Sequence, residues 1–328
     1  MTTSIRGVAV TVLALAWALA ACAASADSPN YPIRPIRLIT HAPAGTAPDV
    51  IARIIGERLA PALGQPIVVD NRPGASGTIG LAAVAKASPD GYTLGTITLS
   101  HAVAPGLVAQ IPYDTARDLA PVRQTTQASL LLVVRVESPL RSLSELVAAA
   151  KAQPGRLTYA TPGNGSPLHL VAEVFKFRAG VDIHHVPYKG ATAAMAALLG
   201  EHVDLLSTSA VTVVALIRSG KLRALATTGP ARMAAFPDVP TLAELGFTDF
   251  DVRDWQGLVV PAKTPKRVIE RLASEVAKAL ALPEVKERIG GIGMEAVTDS
   301  SPDAFAALIR SELPRWAKVV REAGMRLD

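Results

Sequence analysis

The sequence has 328 residues, 33 Lys and Arg against 28 Asp and Glu for a formal charge of +5, and a single cysteine, Cys22. One thiol excludes an internal disulfide, a cysteine zinc site and a dithiol redox motif, so stability has to come from a buried core. The small positive charge is spread without a Lys/Arg block, an aromatic-basic stripe or an acidic tail, which excludes a nucleic-acid-binding surface of the usual kind.

Residues 1–26 read as an export signal, because Arg6 supplies a positive n-region and Gly7 to Ala20 form an apolar stretch too short to span a bilayer. Two processing sites overlap. Ala24-Ser25-Ala26 before Asp27 suits ordinary cleavage, whereas Leu19-Ala20-Ala21-Cys22 resembles a lipobox in which Cys22 would be acylated. The fate of Cys22 decides whether one lipid anchor is present. Removing the signal takes away Arg6 and leaves a net charge of +4 on about 302 residues, enough for about two domains. No later apolar run reaches membrane-spanning length.

After Pro32, short β-branched runs alternate with helical-period segments, the pattern of a mostly parallel sheet covered by helices. Ile36 to Thr40 is the first strand. A helix follows with Val50, Ile51, Ile54, Ile55 and Leu59 on one face, opening near Asp49 and closing at Gly64. Ile67 to Asp70 reads as a strand, Gly77 to Ala87 as a helix, Ser88 to Gly91 as a turn and Tyr92 to Ile97 as a strand. Leu130 to Val134 is a continuous apolar run suited to a strand buried on both faces. Ser142 and Glu145 stand at capping-box spacing before the next helix. Strands recur near Leu157 to Thr161, Ile183 to Val186, Leu205 to Thr208 and Arg223 to Thr227, with Gly180, Gly200 and Gly220 as helix stops. From Pro261 the pattern is helical: Pro265 to Ala281, Pro283 to Ile289, and Pro302 to Ala323 with a kink at Pro314.

Three loops follow a strand, are rich in Gly, Pro, Ser or Thr, and open a helix: 42–49, 71–78 and 161–167. Such a loop directs free backbone N–H groups and the positive end of a helix dipole at one spot, forming an anion receptor that needs no charged side chain. In the third, Ser166 fits an N-cap and Pro167 the first helical position. Every α/β protein also needs turns of this kind, so each loop alone is equally compatible with a structural role. None matches a phosphate-binding glycine motif, which disfavours a nucleotide.

The enzymatic alternatives are weak. Gly74-Ala75-Ser76-Gly77 and Gly165-Ser166-Pro167 both miss the nucleophile-elbow pattern. Ser166 and His169 lie three apart, a spacing that fits a nucleophile and base and fits better a capping serine with a packed histidine. His184 and His185 point to opposite faces of a strand with no partner at ligand spacing, a poor metal site. His41 and His101 read as lone histidines near loops, and no carboxylate pair reads as acid and base.

The mature chain resembles a Bug-type receptor, the extracytoplasmic binding component of tripartite tricarboxylate transporters. The resemblance is carried by Tyr31-Pro32 with Pro35-Ile36-Arg37, by Leu63 to Gly74, by Pro89-Asp90-Gly91-Tyr92-Thr93-Leu94, by His185-Val186-Pro187-Tyr188-Lys189-Gly190, by Gly220 to Ala226 and by Trp316-Ala317-Lys318-Val319-Val320, in the expected order. It implies an α/β type II periplasmic-binding-protein fold, two lobes joined by two crossing strands at about Ala128 to Val136 and Val252 to Pro261. Lobe one is then 27–128 plus 253–328, and lobe two 129–252. It further implies a periplasmic, monomeric protein without enzymatic activity or cofactor, which holds a small organic carboxylate between the lobes and hands it to the membrane subunits of a transporter.

Carried over by position, the ligand contacts are Pro43, Ala44, Gly45, Thr46 and Asp49, with Ser100 and His101, from the first lobe. The second lobe supplies Thr161, Asn164, Gly165, Ser166, Tyr188, Thr208 and Ser209, with Trp255 near the crossing. Two departures stand out. Ala42 replaces the family's aromatic, with Gly45-Thr46-Ala47 in place of a glycine run, and Thr208-Ser209 stands where aspartate and asparagine are common. The second departure weakens the case for an amino-acid ligand and leaves a neutral, hydroxyl-lined wall. The rival readings are a binding protein that feeds a signalling sensor, a binder of an uncharged amide or nucleobase-like solute, and an exported serine hydrolase using Ser166.

Overall fold

The computed structural model describes residues 31–108, 110–248 and 250–322; the export signal and Cys22 lie outside them. The first elements are β1 (Ile36–Thr40), α1 (Ala47–Leu63), β2 (Ile67–Asn71), α2 (Thr78–Ala85), β3 (Thr93–Thr98), α3 (Leu99–Leu107) and the single-turn α4 (Thr115–Asp118). A 17-residue strand, β4 (Leu119–Arg135), leads to α5 (Leu143–Ala152), β5 (Thr158–Thr161), α6 (Pro167–Ala179), β6 (His184–Pro187), α7 (Ala191–Leu199), β7 (Leu205–Ser209), α8 (Ala210–Arg218) and β8 (Leu222–Thr227). After an irregular segment come β9 (Arg253–Pro261), α9 (Lys266–Ala281), α10 (Pro283–Gly291), β10 (Glu295–Ala296) and α11 (Pro302–Glu322).

β4 is the spine of the molecule. Its residues 119–129 pair antiparallel with β9, which joins β3, β1 and β2 on the outer side, while residues 130–135 pair with β7 and β8. One strand therefore carries two half-sheets, each with parallel strands that feed helices. The chain returns to the first half where Val252 N–H donates to the Thr228 carbonyl (3.2 Å), directly before β9. These are the two crossings of a type II periplasmic-binding-protein fold.

The apolar run 130–134 marks only the end of this strand, and the earlier residues Arg123, Gln124 and Gln127 concealed the rest. Gln124 and Gln127 are accommodated because one face of β4 borders a polar cavity of about 300 Å³ with Arg253, Glu312 and Arg315, and the buried Arg123 donates to the Thr298 carbonyl (2.6 Å). Helix α3 was likewise hidden by Pro105 and Gly106; Gly106 lies directly against the Val320 side chain, where a larger residue would not let α3 and α11 pack.

One core cluster runs through both halves, joining Trp255, Phe305 and Trp316 to Leu132, Tyr159 and Phe175. A second belongs to the first half, where Ile51, Ile54, Ile55 and Leu59 of α1 meet Leu38, Leu94 and Leu258; each such buried aliphatic contributes about 2 kcal/mol of transfer free energy. A third, under α7 and α8, belongs to the second half. Gly64 closes α1 and Gly180 closes α6 in left-handed conformations. Among the described residues no helix is long and apolar enough to cross a membrane.

Candidate functional site

The first loop is built around Asp49. Its carboxylate, 2% exposed, accepts from Gly45 N–H (2.9 Å), Asn71 Nδ2 (2.8 Å) and Arg53 Nε (3.1 Å). Burial acts to raise its pKa, but the Arg53 guanidinium and the donated hydrogen bonds outweigh it and hold the group at about 2. Asp49 is thus the internal anion of the loop, and Gly45, at φ +81, gives its N–H to that anion. Thr46 Oγ1 donates to the Pro43 carbonyl (2.6 Å), and Asn71 also donates to the Ala42 carbonyl (3.0 Å). Among the described residues, the N–H groups of Ala44, Ala47 and Asp49 have no protein acceptor, and they crowd the entrance of α1. Asp49→Ala is expected to cost about 2 kcal/mol, read by urea denaturation, because it leaves Gly45 N–H without an acceptor, removes one of the two that Asn71 Nδ2 has, and breaks the Arg53 ion pair.

His41 and His101 back this loop, their rings in edge-on contact at 4.3 Å. His101 is fully buried and closes a capping box at the start of α3: Thr98 N–H donates to its Nδ1 (3.2 Å), which places the proton on Nε2. That Nε2 makes no hydrogen bond of normal geometry, although the Gly77 backbone is close enough to favour the charged ring. Desolvation prevails and brings His101 down to about 4; burial and the neighbouring His101 hold His41 well below its ordinary value. Gly77, at φ +88, fits because any Cβ there would lie 2.8 Å from both rings. The loop 71–78 therefore props the first loop through Asn71 and Gly77. Ser100 is half-buried beside His101.

In the third loop Ser166 caps α6 as its sequence suggests, accepting from His169 N–H (3.2 Å) while its hydroxyl donates to the Gly163 carbonyl (2.8 Å). The His169 ring does not reach that hydroxyl; its Nδ1 accepts from Gly165 N–H (3.1 Å). The pair is a loop brace, not a nucleophile with its base. His169 stacks on His185 at 4.1 Å and His185 on Tyr159 at 4.8 Å, and His185 Nε2 shares a 2.6 Å bond with Thr161 Oγ1. This three-ring stack under the loop could not be read from separate histidines on separate elements. Thr161 is buried, and its carbonyl holds Tyr188 N–H (3.0 Å). Asn164 is exposed, and the N–H groups of Asn164 and Leu168 have no protein acceptor among the described residues.

Thr208 and Ser209 separate. Thr208, 2% exposed, pairs with Leu131 and bonds Thr212 Oγ1 (2.6 Å), whereas Ser209 pairs with Leu130 on the other face of the strand, and its hydroxyl has no hydrogen-bond partner among the described residues. Trp255 is 3% exposed, packs edge-on against Phe305 and donates to Glu312 (3.3 Å). In this conformation it is a core residue. Its neighbour Asp254, which sequence reasoning passed over, points to the opposite face. No group of three His, Cys, Asp or Glu side chains suited to a metal ion occurs among the described residues.

The model of the tripartite tricarboxylate transporter family receptor matches residues 51–325. The chain is similar to protein BugT of Bordetella pertussis, with 40% identity over 318 residues, 96% of this chain and 97% of the relative. Among solved structures it is similar to Rpa4515 of R. palustris with adipate, at TM-score 0.77 and 32% identity, covering 90% of this chain and all of the other. It is also similar to MatC of Rhodopseudomonas palustris with bound malate, at TM-score 0.74 and 32% identity, covering 88% of this chain and all of the other.

Proposed function

Because the chain belongs to the tripartite tricarboxylate transporter receptor family, we propose that it captures a small organic carboxylate between lobe one (27–128 plus 253–328) and lobe two (129–252) and performs no chemistry on it. The observation that carries this reading is the pair of helix-entrance loops whose side chains bind one another and leave backbone N–H groups unpaired: Ala44, Ala47 and Asp49 on one side, Asn164 and Leu168 on the other. Oriented amides at a helix start hold a carboxylate ionised without lysine or arginine.

Two half-sites on separate half-sheets favour closure over the ligand, since only the closed state satisfies both ends of it. The adipate and malate named with the two R. palustris structures support a dicarboxylate. The partners are the membrane subunits of a transporter, and the place of action is the periplasm.

Calorimetry of the purified protein against di- and tricarboxylates and aromatic acids tests the reading. Binding of at least one acid at micromolar concentration is expected, and failure of the whole panel defeats it. Ser166→Ala is expected to cost about 1 kcal/mol through the lost cap; a turnover in the purified protein that this change abolished would revive a hydrolase.

A further inference from the structure

Strand pairing fixes where the side chain of Asp254 lies. Directly opposed residues of an antiparallel pair share a face, and so do alternate residues of one strand. Asp254 is opposite Ala128, Gln256 is opposite both Thr126 and Thr98, and Ser209 is opposite Leu130. Asp254, Gln256 and Thr98 therefore project from one face, where β4 passes from one half-sheet to the other. The same face bears α1, since Ala128 and Leu258 pack with Ile51 and Ile55. The first loop and Asp254 thus share one side of the first half.

Among the described residues the Asp254 side chain has no hydrogen bond and no ion pair. The neighbouring Arg253 points to the other face, where it holds Asp251 (2.8 Å) and Gln127 (2.8 Å). Gln256 is committed to Met294 Sδ (3.2 Å). Solvent reaches part of Asp254, yet the surrounding protein desolvates it enough to push its carboxyl up to about 7. A partly buried acid without a partner, on a strand between two ligand loops, lacks a donor.

We propose that Asp254 is the acceptor end of the solute site, taking an amino or hydroxyl group that the solute carries beside its carboxylate. The proposal rests on the carboxylate reading above and adds a selectivity to it: the unpaired backbone N–H groups of the loops are donors, and Asp254 supplies an anionic acceptor. It also returns to the site the carboxyl that Thr208-Ser209 removed.

The test uses matched acids that differ in one substituent: succinate, malate and aspartate, then adipate and 2-aminoadipate. By calorimetry at pH 8, where Asp254 is ionised, the donor-bearing acid of a set is expected to bind at least tenfold tighter than its parent. In Asp254→Ala the ratio falls towards one, with the circular dichroism spectrum unchanged. A second readout needs only the wild-type chain. At pH 7 a donor group on the carboxyl favours its ionised form, so binding releases protons and the heat varies with buffer ionisation enthalpy. Equal affinity for parent and substituted acids, or proton uptake on binding, overturns the role of Asp254 while the carboxylate reading stands. Failure of every acid in both sets overturns both.

Discussion

Gly257→Ala is expected to destabilise the protein by about 3 kcal/mol or more, a loss of roughly 10 °C in melting temperature for a chain of this size. Gly257 lies on β9 between Gln124 of β4 and Ile97 of β3, where all three strands are hydrogen-bonded. A methyl group there would overlap the ring of Phe305 and stand 2.7 Å from the Arg123 carbonyl oxygen. Neither can yield: Phe305 is fully buried and set edge-on against Trp255, and the carbonyl belongs to the spine strand. Gly290→Ala is the control, since a Cβ on that residue of α10 meets nothing within 4 Å and alanine favours the helix; it should be neutral or stabilising by about 0.5 kcal/mol. Thermal melts of both variants decide the matter, and equal melting temperatures would refute the packing argument.

The same region explains what was legible in the sequence. Elements governed by local rules were readable: Ile36–Thr40 by its β-branched run, α1 by its apolar face and Gly64, α6 by Ser166 and Pro167. Elements governed by pairing were not. The first part of β4 is extended because β9 lies along it, and nothing local to Pro121, Arg123 or Gln124 says so. In the site, sequence marked the loops by their turn residues but could not say which amides the loops themselves consume. Gly45 gives its N–H to Asp49 and Gly165 gives its own to His169, so the donors left over belong to less conspicuous residues, Ala47 and Leu168 among them. The histidines are the sharpest case. Four that the sequence did not relate to one another form two contacts in space, His41 with His101 and His169 with His185, because each pair joins elements distant in the chain.

Those pairs make stability fall with acid. Burial lowers all four histidines, His101 and His185 to about 4. An unfolded histidine titrates near 6.5, so between about pH 6.5 and 4 the unfolded chain binds more protons than the folded one. Stability is then complete above about pH 7 and is lost as pH drops through that window, by up to about 1.4 kcal/mol per pH unit for the buried His101 and by less for the part-exposed His185. Asp254 opposes this. Its carboxyl is raised, so the folded state binds more protons there, and that term grows as pH falls below about 7. One aspartate against four histidines leaves the net slope with the histidines, and Asp49, held at about 2, stays ionised throughout. The melting temperature is accordingly expected to fall from pH 7.5 to pH 4.5. His101→Gln should flatten the curve without loosening α3, because a glutamine at the third helical position can still accept from Thr98 N–H. Asp254→Asn should steepen it. A wild-type melting temperature that holds or rises over the same range would mean that the two histidine pairs charge freely in the folded protein.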